Sequence, residues 1–340
     1  MLIVSLPFFD ALPEKEDAML KYIIKRILFA VPIFFGVTFL VYVLSSMTPG
    51  GPVDLMVQAG NLTEEAYEAL KKSMGLDKPI IVRYFIWLGN FLQGDLGTSS
   101  TSSQAVAKII SQRVQPTLIL ALTSLLLSLV IGIPLGVLSA YKPYTFWDTV
   151  SSGISFIGTS APNFLISLLF IYLFAVKLGA LPSQGMYSAN AKHTVADLSL
   201  HLILPAFVVA LHLIGNFIKQ TRSSMLEVLN EEYVKTARSK GISRQKVIID
   251  HVLRNAWIPI VTAVGISIPY LIGGTVVVEQ IFSWPGLGSL MVSSIGSRDY
   301  NTIMGITVII CVTVLITNIL MDIIYALLDP RIATGIQKKA

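Results

Sequence analysis

The sequence predicts an all-α integral membrane protein with six transmembrane helices. Of its 340 residues, 54% are hydrophobic and only 13% are charged, and the mean hydropathy is +0.71. These values lie far from those of soluble domains. Six uncharged stretches are each long enough to cross a hydrocarbon core of about 30 Å, which takes roughly 20 helical residues.

The six predicted spans are runs that contain no Asp, Glu, Lys or Arg. They cover residues 27–53, 114–141, 149–176, 198–218, 255–278 and 300–321. Prolines occur inside several of these runs, and spanning helices tolerate proline when neighbouring helices satisfy the freed backbone groups. The spans are therefore expected to pack together as one transmembrane domain, residues 21–335, after an extension over residues 1–20.

The distribution of basic residues predicts the orientation. An even number of spans places both termini on one side, and cytoplasmic loops carry the excess of Lys and Arg. The terminal side holds 16 of the 25 basic residues, so both termini are predicted to be cytoplasmic. Cleavage of the first span as a signal peptide is not expected, because its apolar run is too long and no small-residue cleavage site follows it.

The predicted external loop, residues 54–113, is too long for a simple connection and is expected to fold. Thr63 is placed to cap a helix that stops at Gly75. Apolar residues then recur at helical spacing over residues 81–92. This second helix either lies at the membrane interface or covers an external opening.

A second external segment, EQIFSWPGLGSL at residues 279–290, favours a sharp turn at the membrane edge. Trp284, Pro285 and Gly286 in this turn are candidates for an external gate or a contact with a partner. The alternative is that Trp284 is an interfacial anchor, a common position for tryptophan in membrane proteins.

The motifs that are absent exclude several kinds of chemistry. The sequence contains no GxxxxGK[ST] phosphate loop, no HExxH and no GxSxG, so ATP hydrolysis through a phosphate loop is excluded. The single cysteine, Cys311, allows neither an intrachain disulfide nor a thiolate metal cluster. His201 and His212 lie in the fourth span, where they either bind a metal, relay protons or form packing hydrogen bonds. A proton relay normally needs acidic partners, and the spans contain none, so packing hydrogen bonds are favoured and no metal site is predicted.

Small polar side chains recur every four residues along the third span. They are Ser151, Ser155, Thr159, Asn163 and Ser167. Such a stripe either lines a pathway or holds helices together. The last four of these residues are therefore candidates for the lining of a path through the membrane.

A basic segment between the fourth and fifth spans, residues 219–254, is predicted to form a helical elbow. It holds eight basic and four acidic residues. Ser223 or Ser224 is placed to cap its first helix. Gly241 is placed to end that helix in a left-handed conformation, and a second helix follows Ser243.

This elbow suits mechanical coupling better than nucleic-acid binding. It is tethered to spans at both ends, and it has neither a dimer element nor the reach into a groove that DNA readers need. Attraction to anionic lipid explains its charge but not its glycine-centred turn. An elbow continuous with a spanning helix moves that helix when it is pushed.

The elbow contains two distinctive segments, YVKTARSKG at residues 233–241 and HVLRNA at residues 251–256. They resemble YVRTARAKG and HALRNA in the inner-membrane permeases of ABC importers, in the branch that handles oligopeptides, dipeptides and nickel. The general hallmark EAAxxxG followed by IxLP is matched only in part, with Lys235 in place of Glu and Arg254 in place of Pro. Similar segments, among them RYFIWLGNFLQGDLG and VVVEQIFSWPGLGSL, extend the resemblance over residues 19–332.

The resemblance implies a type I ABC importer transmembrane domain in the cytoplasmic (inner) membrane of a bacterium or archaeon. It implies a second homologous permease, two ATPase subunits that hold ATP and Mg, and an extracytoplasmic substrate-binding protein that delivers peptide. The chain itself would hold no cofactor, catalyse no reaction and bind no nucleic acid. The implied ATPase-docking residues are Tyr233, Lys235, Ala237, Arg238, Lys240, Gly241, Arg244 and Leu253.

An alternative cargo and three alternative classes of protein are distinguished by other features. Nickel or another small solute is an alternative cargo, since similar permeases carry it. An ion-coupled secondary transporter would need ion-coupling polar groups and often has inverted repeats, and neither is evident in the sequence. An intramembrane enzyme would need a nucleophile or metal set within the spans, and a membrane-tethered regulator would show salt-sensitive DNA binding.

Overall fold

The computed structural model describes residues 12–48, 63–73, 75–189 and 192–328. Within these ranges the chain is helical, and its only β-type pairing is an isolated bridge between Thr98 and Ala105. The helices are α1 (Leu12–Met47), α2 (Glu64–Ser73), α3 (Ile80–Leu92), α4 (Val106–Tyr141), α5 (Phe146–Ser160), α6 (Asn163–Phe170), α7 (Val195–Leu229), α8 (Glu232–Ser239), α9 (Arg244–Lys246), α10 (Arg254–Gly274), α11 (Val276–Ile281), α12 (Leu287–Gly296) and α13 (Tyr300–Leu328). A π-helical turn, Ile171–Lys177, extends α6, and another, Val247–Leu253, joins α9 to α10.

The predicted all-α membrane architecture is confirmed. Among the described residues, five segments are long and apolar enough to cross a membrane, and α5 with α6 forms a sixth, bent pair. The five are residues 24–47, 106–141, 195–229, 247–271 and 300–324. Large apolar side chains are exposed along them, for example Leu28 (70%), Leu126 (62%) and Val130 (71%). Such surfaces are expected of helices that face lipid or a partner chain rather than water.

The third span differs most from its prediction. The expected single helix over residues 149–176 is two helices that meet at an angle of 107°. The bend has a local cause: Pro162 has no N–H, and Ala161 before it is held in an extended conformation with ψ of 130°. The predicted continuous polar stripe is therefore wrong, because its last two members lie beyond the bend.

Several helices run past the predicted span boundaries. Helix α4 begins at Val106, inside the predicted external loop, and α7 continues to Leu229 instead of ending at residue 218. Helix α1 begins at Leu12, inside the predicted N-terminal extension. The parts of these predictions that fall on residues 1–11, 49–62 and 329–335 lie outside the described residues.

The external loop folds as predicted where it is described. Thr63 Oγ1 accepts a hydrogen bond from Ala66 N (3.4 Å) at the start of α2, and Gly75 follows the helix with φ of +65°. Helix α3 buries Tyr84 and Trp87 against α1 and α13. Phe85 remains 62% exposed on its other side, together with neighbouring apolar residues. A helix that is apolar on both sides fits the interfacial interpretation.

Helices α4 and α7 form the centre of the bundle. A Cβ on Gly132 would lie 2.9 Å from Phe217 Cβ, and one on Gly136 would lie 2.6 Å from Thr221 Cβ. Glycines at this spacing allow two helix backbones to approach closely. We call the end of the bundle that carries α8 and α9 the elbow end, and the opposite end, which carries α3 and α12, the cap end.

Candidate functional site

The first half of the elbow differs from its prediction. Ser223 and Ser224 lie inside α7, so the predicted helix cap at these residues is wrong. Helix α7 ends at Leu229, and α8 begins at Glu232. A two-residue break, rather than a capping serine, thus separates the spanning helix from the elbow helix.

Gly241 forms the turn at the tip of the elbow, as predicted. Its φ is +79°, and its N–H donates to Arg238 O at 3.0 Å. Glycine adopts this conformation without the steric penalty that a Cβ brings. The second helix begins at Arg244, as predicted, and runs through the π-helical turn into α10. The elbow is therefore continuous with a spanning helix.

One face of the elbow is held against the bundle by an apolar cluster. Val234, Val247 and Val252 are fully buried there against the elbow ends of α4 and α7. Ala237 is also buried in this cluster, and Leu253 packs against it. These two predicted docking residues therefore contact the chain's own helices, and they fix the elbow to the spans.

The other face of the elbow is exposed and basic. It presents Tyr233, Lys235, Arg238 and Lys240. Lys235 Nζ pairs with Glu232 Oε1 at 2.7 Å along the helix. Tyr233 is 45% exposed, and its partial burial, followed by the charge of Glu231, raises the pKa of its hydroxyl, which stays neutral at physiological pH. The side chain of Arg244 lies outside the described part of the chain.

Two members of the polar stripe serve helix packing. Ser155 is buried, and its Oγ donates to Gly215 O of α7 at 2.7 Å. Ser167 is also buried, and its Oγ donates to Asn163 O within its own helix at 2.8 Å. Both fit the packing alternative better than the lining of a path.

Two other stripe residues, Thr159 and Asn163, join side chains of α7 and α10 in what we call the polar cluster. Its members are Thr159, Asn163, His212, Asn216, Lys219 and Tyr270. Lys219 Nζ donates to Thr159 Oγ1 at 3.1 Å, and Asn163 Nδ2 lies 3.3 Å from Tyr270 Oη. The His212 ring stacks on the Tyr270 ring, with centroids 4.8 Å apart, and its Nε2 lies 3.1 Å from Asn216 Nδ2.

Sequence reasoning missed half of the polar cluster. Asn216 and Tyr270 were not singled out, and Lys219 was assigned to a loop beyond the span. A signal was present, because residues 212, 216 and 219 follow the i, i+4, i+7 spacing of one helix face. The second histidine, His201, lies apart from the cluster. It is buried near the cap end, with Nδ1 2.9 Å from Asp197 O, which fits the packing interpretation.

At the cap end, Trp284 is part of a buried clamp on α4. Trp284 is fully buried, and its Nε1 donates to Pro116 O at 2.9 Å. The interfacial-anchor alternative is therefore wrong. Thr117 Oγ1 donates to Glu279 Oε1 at 2.9 Å and accepts a hydrogen bond from Leu287 N at 2.8 Å. The predicted turn is thus fastened to a spanning helix by side chains.

Glu279 is the centre of this clamp. Burial raises the pKa of its carboxyl, while hydrogen bonds from Ser289 N and Thr117 Oγ1 act in the opposite direction. A Cβ on Gly286 would overlap the Glu279 carboxylate, so a larger residue there would displace it. Pro285 lies between Trp284 and this glycine. A gating role for Trp284, Pro285 and Gly286 remains a prediction, and it would require this clamp to open.

Two family descriptions match the sequence. Residues 132–334 match the binding-protein-dependent transport system inner membrane component, and residues 19–121 match the N-terminal region of such membrane components. Together they cover most of the bundle.

Individual relatives are similar over nearly their full length. The oligopeptide transport system permease protein AppB of Bacillus subtilis is 45% identical over 315 residues, which cover 92% of this chain and 99% of AppB. The glutathione transport system permease protein GsiC of Escherichia coli K12 is 36% identical over 314 residues, with the same coverage.

Among solved structures, a chain of the MetNI methionine ABC transporter in an inward-facing conformation is similar. The TM-score is 0.51 at 19% identity, and the match covers 65% of this chain and 97% of that chain. At this identity the likeness shows a shared fold.

Proposed function

The chain belongs to the family of binding-protein-dependent transport system inner membrane components, and on that premise we propose that it is one permease subunit of an ATP-driven importer of peptides. The observation that carries the proposal is the 45% identity to an oligopeptide permease along 92% of the chain. GsiC, named for glutathione transport, supports a peptide cargo as well. A second homologous permease would complete the path through the membrane.

The elbow supports a mechanism in which energy comes from another chain. Its exposed basic face offers a surface for a cytoplasmic ATPase, and its apolar face holds it to the spans. Two ATPase subunits, with ATP and Mg bound to them, would close and carry the two elbows with them. This assignment places the elbow end in the cytoplasm, in agreement with the excess of basic residues on that side.

The structure offers a route from the elbow to the middle of the membrane. Val252 in the elbow is buried in the same cluster as Ala256, in the first turn of α10. Helix α10 then continues without a break to Tyr270, which contacts Asn163 and His212. Displacement of the elbow therefore moves Tyr270 relative to α6 and α7, which would open or close the path. A substrate-binding protein would deliver peptide at the cap end.

Purification from native membranes tests the proposal directly. We expect the tagged chain, extracted in mild detergent, to bring with it a second multi-span permease and ATPase subunits identified by mass spectrometry. Any binding protein that accompanies them can be tested for peptides and for nickel. A crosslinked homo-oligomer without an ATPase would contradict the importer.

Replacement of Gly241 tests the coupling role of the elbow. Gly241→Pro should leave the assembled complex intact but uncouple peptide uptake from ATP hydrolysis. Proline fixes φ near −65°, whereas Gly241 has +79°, and proline also lacks the N–H that donates to Arg238 O. Uptake and binding-protein-stimulated ATPase activity are measured in proteoliposomes.

Gly241→Asn is the matched control. Asparagine tolerates the left-handed conformation better than other residues with a Cβ, and no atom lies within 4 Å of the Cβ position. We expect this variant to retain coupled uptake. Coupled uptake by Gly241→Pro at the normal rate would refute the elbow mechanism.

A further inference from the structure

The polar cluster reaches from the middle of α7 to the end of its uncharged run. Helix α7 has 35 residues and is about 52 Å long, and His212 is at its midpoint. Lys219 follows seven residues later, about 10 Å along the axis. The uncharged run of residues 198–218 is centred on residue 208, and the half-thickness of a hydrocarbon core is about 15 Å, so His212 falls within the membrane and the backbone of Lys219 lies at its edge.

The ammonium group of Lys219 points toward the bilayer centre. Its Nζ donates to Thr159 Oγ1, and Thr159 packs against Gly215, which lies one turn nearer the midpoint of α7. A lysine that snorkels turns toward the nearer membrane surface. Lys219 extends in the opposite direction, so its ammonium group lies at the level of Gly215, about 10 Å from the centre of the uncharged run.

No carboxylate pairs with Lys219 among the described residues. The carboxylate of Asp148, at the other end of the helix that carries Thr159, accepts two hydrogen bonds from Arg222. A lysine that faces lipid inside the membrane is unfavourable, so ionisable residues in membranes face aqueous cavities or charged partners. Asn216 and Lys219 are both exposed on the single chain. Their face of α7 is thus suited to a water-filled path.

The cluster is rich in hydrogen-bond donors and has no acidic group. Asn163 and Asn216 carry amides, Tyr270 carries a hydroxyl, and Lys219 carries an ammonium group. A carboxylate complements such a set, because it accepts several hydrogen bonds and pairs with an ammonium group. A peptide with a free C-terminus carries one carboxylate at that end.

We propose that the polar cluster is a carboxylate-binding site in the translocation path, at which Lys219 receives the C-terminal carboxylate of the crossing peptide. The proposal rests on the proposed import of peptides. Asn216 and Tyr270 donate hydrogen bonds to the same carboxylate. Because Tyr270 stands on α10, movement of the elbow shifts it away from α7 and weakens the site, which releases the peptide.

Uptake of one peptide in two forms tests the site. The complete transporter is reconstituted in proteoliposomes with its binding protein. Maximal ATP-driven uptake is measured at saturating loaded binding protein for the free acid and for the C-terminal amide. We expect Lys219→Met to slow uptake of the free acid by about ten-fold or more, because it removes a charge-assisted hydrogen bond. Uptake of the amide should change little.

Two further variants separate charge from structure. Lys219→Arg keeps the charge and should keep the preference of the wild type for the free acid. Lys142→Met removes an exposed lysine at the elbow end and should change neither rate.

An equal loss for both peptide forms in Lys219→Met would overturn the site and indicate that Lys219 pairs with an acidic residue of the second permease. Absence of ATP-driven uptake of either form by the wild type would overturn the proposed function itself.

Thiol accessibility tests the aqueous path without any cargo. In a Cys311→Ser background of the complete complex, Asn216→Cys should react with a membrane-impermeant maleimide. Ile203→Cys, on an exposed apolar part of the same helix, should react at least about ten-fold more slowly because lipid surrounds it. Equal protection of both cysteines, with and without ATP, would contradict the path.

Discussion

Replacement of Gly158 by alanine is expected to destabilise the chain strongly. A Cβ at this position of α5 would overlap Leu211 O of α7, and Gly215 N lies only 3.6 Å away. Backbone atoms of a helix cannot move aside as a flexible side chain does, so α5 would have to separate from α7. We expect a loss of about 3 kcal/mol, at the upper end of overpacking effects.

Gly153→Ala is the matched control on the same helix, because no atom lies within 4 Å of its Cβ position. Alanine is favoured over glycine in a helix by about 0.5–1 kcal/mol, so this variant should be unchanged or slightly more stable. The measurement is the fraction of purified complex that stays monodisperse on size exclusion after heating. Equal heat resistance of the Gly158 and Gly153 variants would show that α5 and α7 are not packed this closely.

The bend in the third span shows what uncharged runs cannot reveal. The run over residues 149–176 correctly located an apolar segment, but its length suggested one straight helix. The segment is instead two helices. Pro162 lacks an N–H and Ala161 is extended, so the second helix meets the first at an angle of 107°. Proline in a spanning helix often causes only a kink, and the sequence alone did not distinguish the two outcomes.

The end of the fourth span was misplaced for a related reason. The search for uncharged runs stopped at Lys219, although α7 continues for ten more residues. Lys219 and Arg222 are tolerated within the helix because Thr159 and Asp148, on α5, meet them there. Contacts between distant segments are not visible in local composition. The polar cluster was overlooked for the same reason.

The elbow was predicted more completely, because its signals are local. Glycine at position 241 and the basic residues around it predicted both the turn and its exposed face. The inward orientation of Ala237 and Leu253 follows the apolar face of the elbow, on which Val247 and Val252 also lie. The docking role of the exposed residues stays a prediction until the ATPase contact is measured.

The second large effect is expected at Asp148, which fastens three helices at the elbow end. Its carboxylate accepts hydrogen bonds from Ser139 Oγ of α4 and from Tyr144 N in the connecting turn. It also accepts two hydrogen bonds from Arg222 of α7, from Nε at 2.8 Å and from Nη2 at 3.0 Å. The Asp148 side chain is 8% exposed and that of Arg222 is 29% exposed.

Asp148→Ala should therefore lower stability by about 3 kcal/mol, because it leaves the Arg222 charge without a partner in a partly buried site. The partial exposure of Arg222 places the expected loss at the lower end of the range for broken buried pairs. Asp77→Ala, which removes an exposed carboxylate from the turn after α2, is the control and should change stability little. Heat resistance of the purified complex is again the measurement.

A double variant separates the charge from the packing. In Asp148→Leu with Arg222→Met, apolar side chains of similar size replace both ions, and such replacements are often neutral or stabilising. We expect the double variant to recover most of the stability that Asp148→Ala loses. Recovery would mean that the lone arginine, rather than a missing link between the helices, caused the loss. Equal stability of Asp148→Ala and the wild type would contradict this role of Asp148. The Arg222 guanidinium would then bind water or lipid phosphate at the membrane surface, and apolar contacts alone would hold the three helices together.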